Sequence, residues 1–237
     1  MICFLTSLPC FEEKPVLNPA NRFVDELRRS IMTPCRALYI CSDPNDEGND
    51  SWGNEDKTIF ENSGFEFESF ELLDGRNADR ARELVKGADF IILAGGHVPT
   101  QNRFFASINL RGLLSGFDGV LLGISAGSMN SAETVYSQPE EPGEAKDPEY
   151  RRFLPGLGLT KTMLLPHYYY WKDAILDGMH AILQIALPDS MGRTFYYIPD
   201  GSYLFIKDGI EELRGEAYML KNGEMRQVSR EGDTLLP

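Results

Sequence analysis

Short apolar runs alternate with amphipathic segments along the first half of the chain. The runs at 88–94 and 118–124 are continuously apolar, which is typical of strands covered on both faces at the centre of a parallel sheet. The run at 65–72 mixes phenylalanine with glutamate and is expected near a sheet edge. Two more runs, at 2–8 and 36–42, supply further strands. This alternation predicts an α/β fold with a mostly parallel central sheet.

Helix signals lie between the strands. Asn18 followed by Pro19 predicts an N-cap and a first helical residue, and Asn77 is expected to cap a second helix. A helical pattern also runs from about 172 to 187 and is stopped by Pro188. Strand, helix and strand at these spacings imply right-handed crossovers.

The second half of the chain contains a long polar loop and a series of short strands. Residues 137–150 hold three prolines and five acidic residues, which predicts an exposed loop or a flap over a functional site. After about residue 190, short apolar segments joined by glycine-containing turns predict an antiparallel meander added to the same sheet. Because no linker interrupts the pattern, we expect a single domain over residues 1–237.

Charge and cysteine content narrow the class of protein. The 237 residues include 23 Lys and Arg against 36 Asp and Glu, a formal net charge of −13. Such a charge disfavours nucleic acids and anionic membranes as partners. No apolar stretch approaches the roughly 18 residues of a membrane span, so we expect a cytoplasmic protein. The cysteines show no CxxC spacing and are expected to be small buried residues in a reducing compartment: Cys3, Cys10, Cys35 and Cys41.

The sequence Gly123-Ile124-Ser125-Ala126-Gly127 directly follows a predicted central strand. A serine flanked by glycines two residues away on each side is typical of a nucleophile elbow, in which a tight turn from strand to helix exposes the hydroxyl. Ser125 is therefore the candidate nucleophile. Ser128 is expected to cap or pack, and no cysteine is close enough in sequence to serve instead.

A serine nucleophile needs a base, and the chain has three histidines. His167 follows the apolar segment 162–166 and is expected at the carboxyl end of a strand, so it is the candidate base. His180 lies within the predicted helix and is expected to be partly buried there. His97 follows another central strand, near the elbow, where a substrate-facing or loop-orienting role and a purely structural role are equally open.

Backbone donors and an acid complete the predicted site. Gly95 and Gly96 end a neighbouring strand, so we expect Gly96 and Ala126 to present backbone N–H groups to an oxyanion. Asp200, in a Pro-Asp-Gly turn, is a candidate for the acid that orients the histidine, on equal terms with Asp173 and Asp189. The three dispersed histidines indicate no metal site, and no cofactor is expected.

These motifs resemble the peptidase E (α-aspartyl dipeptidase) and cyanophycinase family of serine peptidases. The resemblance rests on LAGGHVPTQN (93–102), LLGISAGSMN (121–130), LLPHYY (164–169) and YIPDGSYLFIKDG (197–209). It implies a three-layer α/β sandwich of the class I glutamine amidotransferase-like, flavodoxin-like type. It also implies that Ser125, His167 and Asp200 are the catalytic residues, with aspartate where the family usually has glutamate.

The resemblance also implies a substrate class. A small peptide or isopeptide is expected, cleaved at an amide bond. Apart from the resemblance, the sequence leaves a homodimer open. Candidate substrate-binding residues lie in the matching segments: His97, which replaces the family's usual asparagine, Gln101, Asn102 and Tyr168. Four cations are candidate anchors for an acidic substrate: Arg103, Arg111, Lys161 and Lys172.

Two other functions remain open at this stage. An α/β-hydrolase esterase also uses GxSxG, but its histidine comes last and near the carboxyl terminus, whereas His180 is followed by 57 residues. A non-catalytic binding or sensor protein with this fold is the other alternative. The order of serine, histidine and acid favours a peptidase.

Overall fold

The computed structural model describes residues 1–11 and 13–237 of the chain. Its strands are numbered here in chain order. They are β1 (Ile2–Thr6), β2 (Cys35–Ile40), β3 (Phe67–Leu73), β4 (Phe90–Leu93), β5 (Val120–Ile124), β6 (Thr134–Tyr136), β7 (Phe153–Pro155), β8 (Met163–Leu165), β9 (Ile175–Leu176), β10 (Met179–His180), β11 (Thr194–Tyr197), β12 (Tyr203–Lys207), β13 (Ile210–Arg214), β14 (Ala217–Lys221), β15 (Glu224–Ser229) and β16 (Thr234–Leu235).

The α-helices are short, and most of them follow a strand. They are α1 (Phe23–Ser30), α2 (Asn49–Asn62), α3 (Ala81–Gly87), α4 (Val98–Ser107), α5 (Leu110–Leu114), α6 (Ala126–Asn130), α7 (Tyr168–Trp171) and α8 (Leu187–Asp189). Short 3-10 segments cover Ala20–Arg22 and Gly75–Arg80, and a π-helical segment covers Ala181–Ala186.

An eight-stranded sheet forms the centre of the fold, in the order β16-β13-β12-β1-β5-β4-β2-β3. The five strands β1, β5, β4, β2 and β3 are parallel to one another. β12, β13 and β16 extend the sheet from β1, each antiparallel to the strand it joins. The central positions of β4 and β5 and the edge position of β3 are as predicted. The mostly parallel α/β fold is therefore confirmed.

Continuous apolar strands are explained by burial on both faces of this sheet. On β5, Leu121 packs in one apolar core with α3, α4 and α5, while its neighbour Leu122 packs in a second core with α1 and α2. Successive side chains of a strand point to opposite faces, so a strand between two helical layers has no solvent face that requires polar residues. The result is a three-layer arrangement, as predicted.

A second sheet contains some of the strands of the predicted C-terminal meander. Its order is β15-β14-β11-β8, with β8 parallel to β11 and the other pairs antiparallel. The prediction that all the C-terminal strands join the central sheet is wrong, because β11, β14 and β15 pair with one another and with β8. The chain passes from β11 in the second sheet to β12 in the first at a Pro-Asp-Gly turn containing Asp200.

The prediction of a helix over 172–187 is also wrong for the first half of that range. β9 and β10 form a hairpin there, and the turn residues Asp177 and Gly178 both have positive φ, at 53° and 81°. An Asp-Gly pair favours such a two-residue turn, and this local preference prevails over the apolar spacing that suggested a helix. His180 therefore precedes the π-helical segment, and its Nδ1 accepts hydrogen bonds from Ile182 and Leu183 N–H.

Two cap predictions also need adjustment. Asp74, rather than Asn77, caps the segment before α3: its carboxylate accepts from Arg76 N–H, while Asn77 Oδ1 accepts from Asp74 N–H in a reciprocal capping box. Asn18 Oδ1 accepts from Ala20 N–H, but α1 itself starts only at Phe23. Within residues 1–11 and 13–237, every helix is too short or too polar to span a lipid bilayer.

Phe4, on β1, provides a test of the core between the central sheet and α1. Its ring is fully buried and packs against Phe23, Tyr203 and Phe205, so Phe4→Ala leaves a cavity. We expect a loss of about 3 to 5 kcal/mol in the free energy of unfolding, measured by urea denaturation. Met32→Ala, at a side chain that is 90% exposed, is the control and should change it by less than about 0.5 kcal/mol.

Candidate active site

Ser125 lies at the turn between β5 and α6, in a backbone conformation that non-glycine residues rarely adopt. Its φ and ψ are 47° and −108°. The flanking glycines make this turn possible: a Cβ on Gly127 would lie 2.4 Å from the Leu93 carbonyl oxygen, and a Cβ on Gly123 would lie 2.8 Å from the Ser128 nitrogen. The predicted elbow is therefore formed, with the Ser125 side chain half-buried rather than packed inside.

His167 lies just beyond the carboxyl end of β8, with a positive φ of 58°. Its Nε2 is 2.9 Å from Ser125 Oγ, and its Nδ1 is 2.9 Å from Asp200 Oδ1. With the proton on Nδ1, the imidazole donates to Asp200 and accepts from the Ser125 hydroxyl. This is the arrangement in which a histidine can take a proton from a serine.

Of the three candidate acids, Asp200 is the one that hydrogen bonds to His167. It lies in the turn between β11 and β12, where Gly201 has a φ of +89°. Asp189 instead accepts from the Tyr136 hydroxyl, and exposed Asp173 pairs with Lys172. The structure thus brings together the three residues that sequence reasoning placed in the site.

Ser7 is a fourth member of this array that sequence reasoning missed. It follows β1 and is fully buried, and its hydroxyl donates to Asp200 Oδ1 while accepting from His167 N–H at 2.8 Å. Its carbonyl oxygen also accepts from Ser125 N–H at 3.0 Å. The available signal was its position, since Ser7 directly follows an apolar strand that neighbours the strand of the elbow.

The ionisation of Asp200 reflects competing effects. Burial raises the pKa of this carboxyl, while hydrogen bonds from His167 and Ser7 lower it, and the net shift is downward. Asp200 is therefore held as a carboxylate, the form that accepts from His167 and stabilises an imidazolium.

Backbone groups of two neighbouring turns lie beside Ser125. A Cβ on Gly95 would lie 3.6 Å from Ser125 Cβ, so the turn after β4 packs directly against the serine. Gly96 has a φ of +141°, and a Cβ there would overlap Ser42 Oγ. Ala126 begins α6, where N–H groups have no intrahelical partner. These are the positions from which the predicted oxyanion donors would act.

Ser125 and His167 line a small cavity of about 60 Å³. The residues completing its lining are Met129, Gln138, Glu140, Leu165, Pro166 and Trp171. Burial, reinforced by the negative charges of Glu144 and Glu141, raises the pKa of Glu140 to about 8. Sequence reasoning placed this glutamate in an exposed loop, whereas residues 137–139 are buried and Glu140 is half-buried.

Hydrogen bonds with His97 and Asp177 anchor the loop at 137–150 to the rest of the protein. His97 precedes α4, and its Nε2 lies 2.9 Å from Glu144 Oε1 while its Nδ1 lies 2.9 Å from Thr100 Oγ1. Asp177 accepts from the N–H groups of Gly143 and Ala145. Ligand atoms of His97, Glu141 and Glu144 all lie within 4.8 Å of one another, so this cluster is where the described residues could hold a metal ion.

Three predicted substrate-binding residues have partners inside the protein instead. Gln101 is fully buried, and its amide donates to Ala94 O and accepts from Asn130. Asn102 donates to Asn130 Oδ1 and Pro155 O, and the ring of Tyr168 stacks on Tyr218 with centroids 3.8 Å apart. Among the described residues, none of these three lines the Ser125 cavity, and His97 contacts the loop rather than that cavity.

The four candidate cationic anchors are likewise outside the part of this cavity that the structure describes. Arg103 donates to Thr100, and Arg111 donates weakly to Gly156 O at 3.4 Å.

Ser128 is buried and donates to Thr6 O and Gly123 O, which suits packing. The buried thiols of Cys3, Cys35 and Cys41 have raised pKa values, mainly because of burial.

The fold and this array define an α/β protein whose serine, histidine and aspartate meet at the carboxyl edge of a mostly parallel sheet. The model of peptidase family S51 matches residues 20–213. The chain therefore belongs to peptidase family S51, which confirms the relationship indicated by the motifs.

Among solved structures, the chain is similar to a Listeria monocytogenes EGD-e protein assigned provisionally as a peptidase E. The TM-score is 0.58 at 16% sequence identity, over 96% of this chain and 98% of the other. At that identity the likeness supports the fold alone. A search of the curated proteins gave no match.

Glu140 gives the stability of the protein a testable dependence on pH. Its pKa in the folded state, about 8, is above the value of about 4.3 for an unfolded glutamate. The raised pKa stabilises the fold below about pH 4.3, and this contribution is lost as the pH rises towards 8. We therefore expect the melting temperature of Glu140→Gln, measured relative to that of wild type, to rise as the pH is raised from 5 to 8.5. An unchanged difference across that range would contradict the raised pKa.

Proposed function

We propose that this protein is a serine peptidase that hydrolyses an amide bond of a small peptide or isopeptide through an acyl-enzyme. The observation that carries the proposal is the hydrogen-bonded series from Ser125 through His167 to Asp200, with both distances at 2.9 Å. The family relationship supports a peptidase, and the geometry supports serine as its nucleophile.

Acylation begins with attack of Ser125 Oγ on the substrate carbonyl carbon. The hydroxyl proton moves to His167 Nε2, and Asp200 stabilises the resulting imidazolium. The carbonyl oxygen becomes an oxyanion and accepts hydrogen bonds from the backbone N–H groups of Gly96 and Ala126. The C–N bond then breaks, and His167 Nε2–H protonates the departing amine.

Deacylation repeats these steps with water. Water attacks the ester carbonyl and gives a proton to His167 Nε2, the ester C–O bond breaks, and the proton returns to Ser125 Oγ. Each step uses side chains and backbone groups of this chain alone, and the second oxyanion uses the same donors.

The size of the cavity supports a small acyl group. A cavity of about 60 Å³ beside Ser125 leaves room for a single side chain, and the fastened loop at 137–150 covers it on one side. Glu140 offers a carboxyl group to a substrate ammonium group, which would favour its ionised form. Substrates with a free amino group close to the scissile bond fit these features.

Labelling with a fluorophosphonate tests the nucleophile directly. We expect wild type to be modified at Ser125, as identified by mass spectrometry of peptides, and Ser125→Ala to be unmodified. His167→Ala should slow labelling at least about a thousandfold, since the hydroxyl loses its base. His180→Ala, which removes a histidine that caps a π-helical segment, is the matched control and should label at nearly the wild-type rate.

An absence of labelling in the folded wild type would reject the serine peptidase and favour the non-catalytic alternative. Equal labelling of wild type and Ser125→Ala would reject Ser125 as the nucleophile.

Asp200→Asn should retain the fold and lower kcat by about four orders of magnitude, as a lost orienting carboxylate does.

Ser7→Ala tests the residue that joins β1 to the site. Loss of the hydrogen bond to the Asp200 carboxylate should slow labelling of Ser125 by roughly tenfold, because the aspartate and His167 are less well held. Ser115→Ala, at an exposed serine that caps α5, is the control and should have no effect. A wild-type labelling rate in Ser7→Ala would limit Ser7 to a structural role.

A further inference from the structure

Gln138 is a buried residue of the Ser125 cavity to which neither the sequence motifs nor the steps above assign a role. It lies in the loop after β6, is 2% exposed, and lines the cavity together with Ser125 and His167. Its neighbour in that cavity, Glu140, lies two residues further along the same loop.

Only one end of the Gln138 carboxamide has a partner. Oε1 accepts a hydrogen bond from the hydroxyl of Tyr197, a fully buried residue of β11. Nε2 is buried and has no partner among the described residues. Buried polar groups are nearly always hydrogen bonded, so an orphaned donor on a residue that lines a candidate active site is a candidate contact for a ligand.

The chemistry of the ligand atom follows from the donor and its surroundings. An N–H donor requires an acceptor, and the oxygen of the scissile carbonyl is already directed to Gly96 and Ala126 in the proposed reaction. The partner of Nε2 is therefore a second oxygen of the acyl residue. Among the described residues lining the cavity, none is lysine or arginine, while Glu140, Glu141 and Glu144 lie close together. An uncharged carbonyl suits this environment better than a carboxylate.

We propose that Gln138 is a specificity-determining residue, whose Nε2 donates to an uncharged side-chain carbonyl of the acyl residue and so selects asparaginyl substrates over apolar residues of the same shape. This inference rests on the proposed serine peptidase activity. A site that hydrogen bonds a substrate group rejects analogues that lack it, because its own polar atom is then left unpaired.

The test compares cleavage of three dipeptides, Asn-Ala, Asp-Ala and Leu-Ala, followed by liquid chromatography of the released amino acids. Asparagine and leucine have similar shapes but differ in the acceptor oxygen. The variants are Gln138→Met, which keeps the length of the side chain, and Gln138→Leu, which is shorter. Both remove the amide donor. Ser229→Ala is the control, since Ser229 Oγ is also buried and unpartnered but lies on β15.

We expect wild type to prefer Asn-Ala to both other dipeptides. The ratio of kcat/KM for Asn-Ala over Leu-Ala should fall about tenfold to a hundredfold in both Gln138 variants and stay within about twofold in Ser229→Ala. An unchanged ratio in a folded Gln138 variant would overturn the inference. So would a preference of wild type for Asp-Ala, or a lack of Asn-Ala cleavage by enzyme that fluorophosphonate labels at Ser125. Lack of labelling would overturn the proposed function instead.

Discussion

The turn at Ser125 is closed by contacts that tolerate no side chain at the positions two residues before and two residues after it. Gly127 passes so close to the Leu93 carbonyl that any Cβ would overlap it, and a Cβ on Gly123 would also be too close to the backbone of α6. These contacts press the end of β5 against β4 and leave Ser125 in a strained conformation facing outward. The serine is therefore positioned by the packing of the most buried part of the protein, which a surface loop would not provide.

The remaining groups reach Ser125 from two sheets. The central sheet contributes the ends of β1, β4 and β5, and the second sheet contributes His167 at the end of β8. Asp200 lies where the chain crosses from one sheet to the other, and Ser7 binds both His167 and Asp200. The relative position of the two sheets thus fixes the geometry of the site, since no single sheet carries the whole array.

The parts of this molecule that the sequence could predict are those encoded by neighbouring residues. Apolar runs located the central strands, and glycines at fixed spacing located the turn at Ser125, because both signals reflect local steric requirements. Ser7 was missed because its bond to Asp200 joins residues 193 positions apart, and one serine among many has no local mark. The burial of Gln138 was missed for a similar reason, since polar composition suggested an exposed loop while contacts with β11 bury it.

The place of β1 in the sheet bears on how the protein forms during synthesis. β1 leaves the ribosome before either of its neighbours in the sheet, β5 and β12, and its register with β12 pairs Cys3 with Ile206. Domains are assembled as the chain emerges, so one flank of β1 stays open until β12 has been translated. Nascent and truncated chains that end before Asp200 therefore lack the carboxylate that hydrogen bonds to His167, so the array around Ser125 is completed late relative to the strand that carries Ser125.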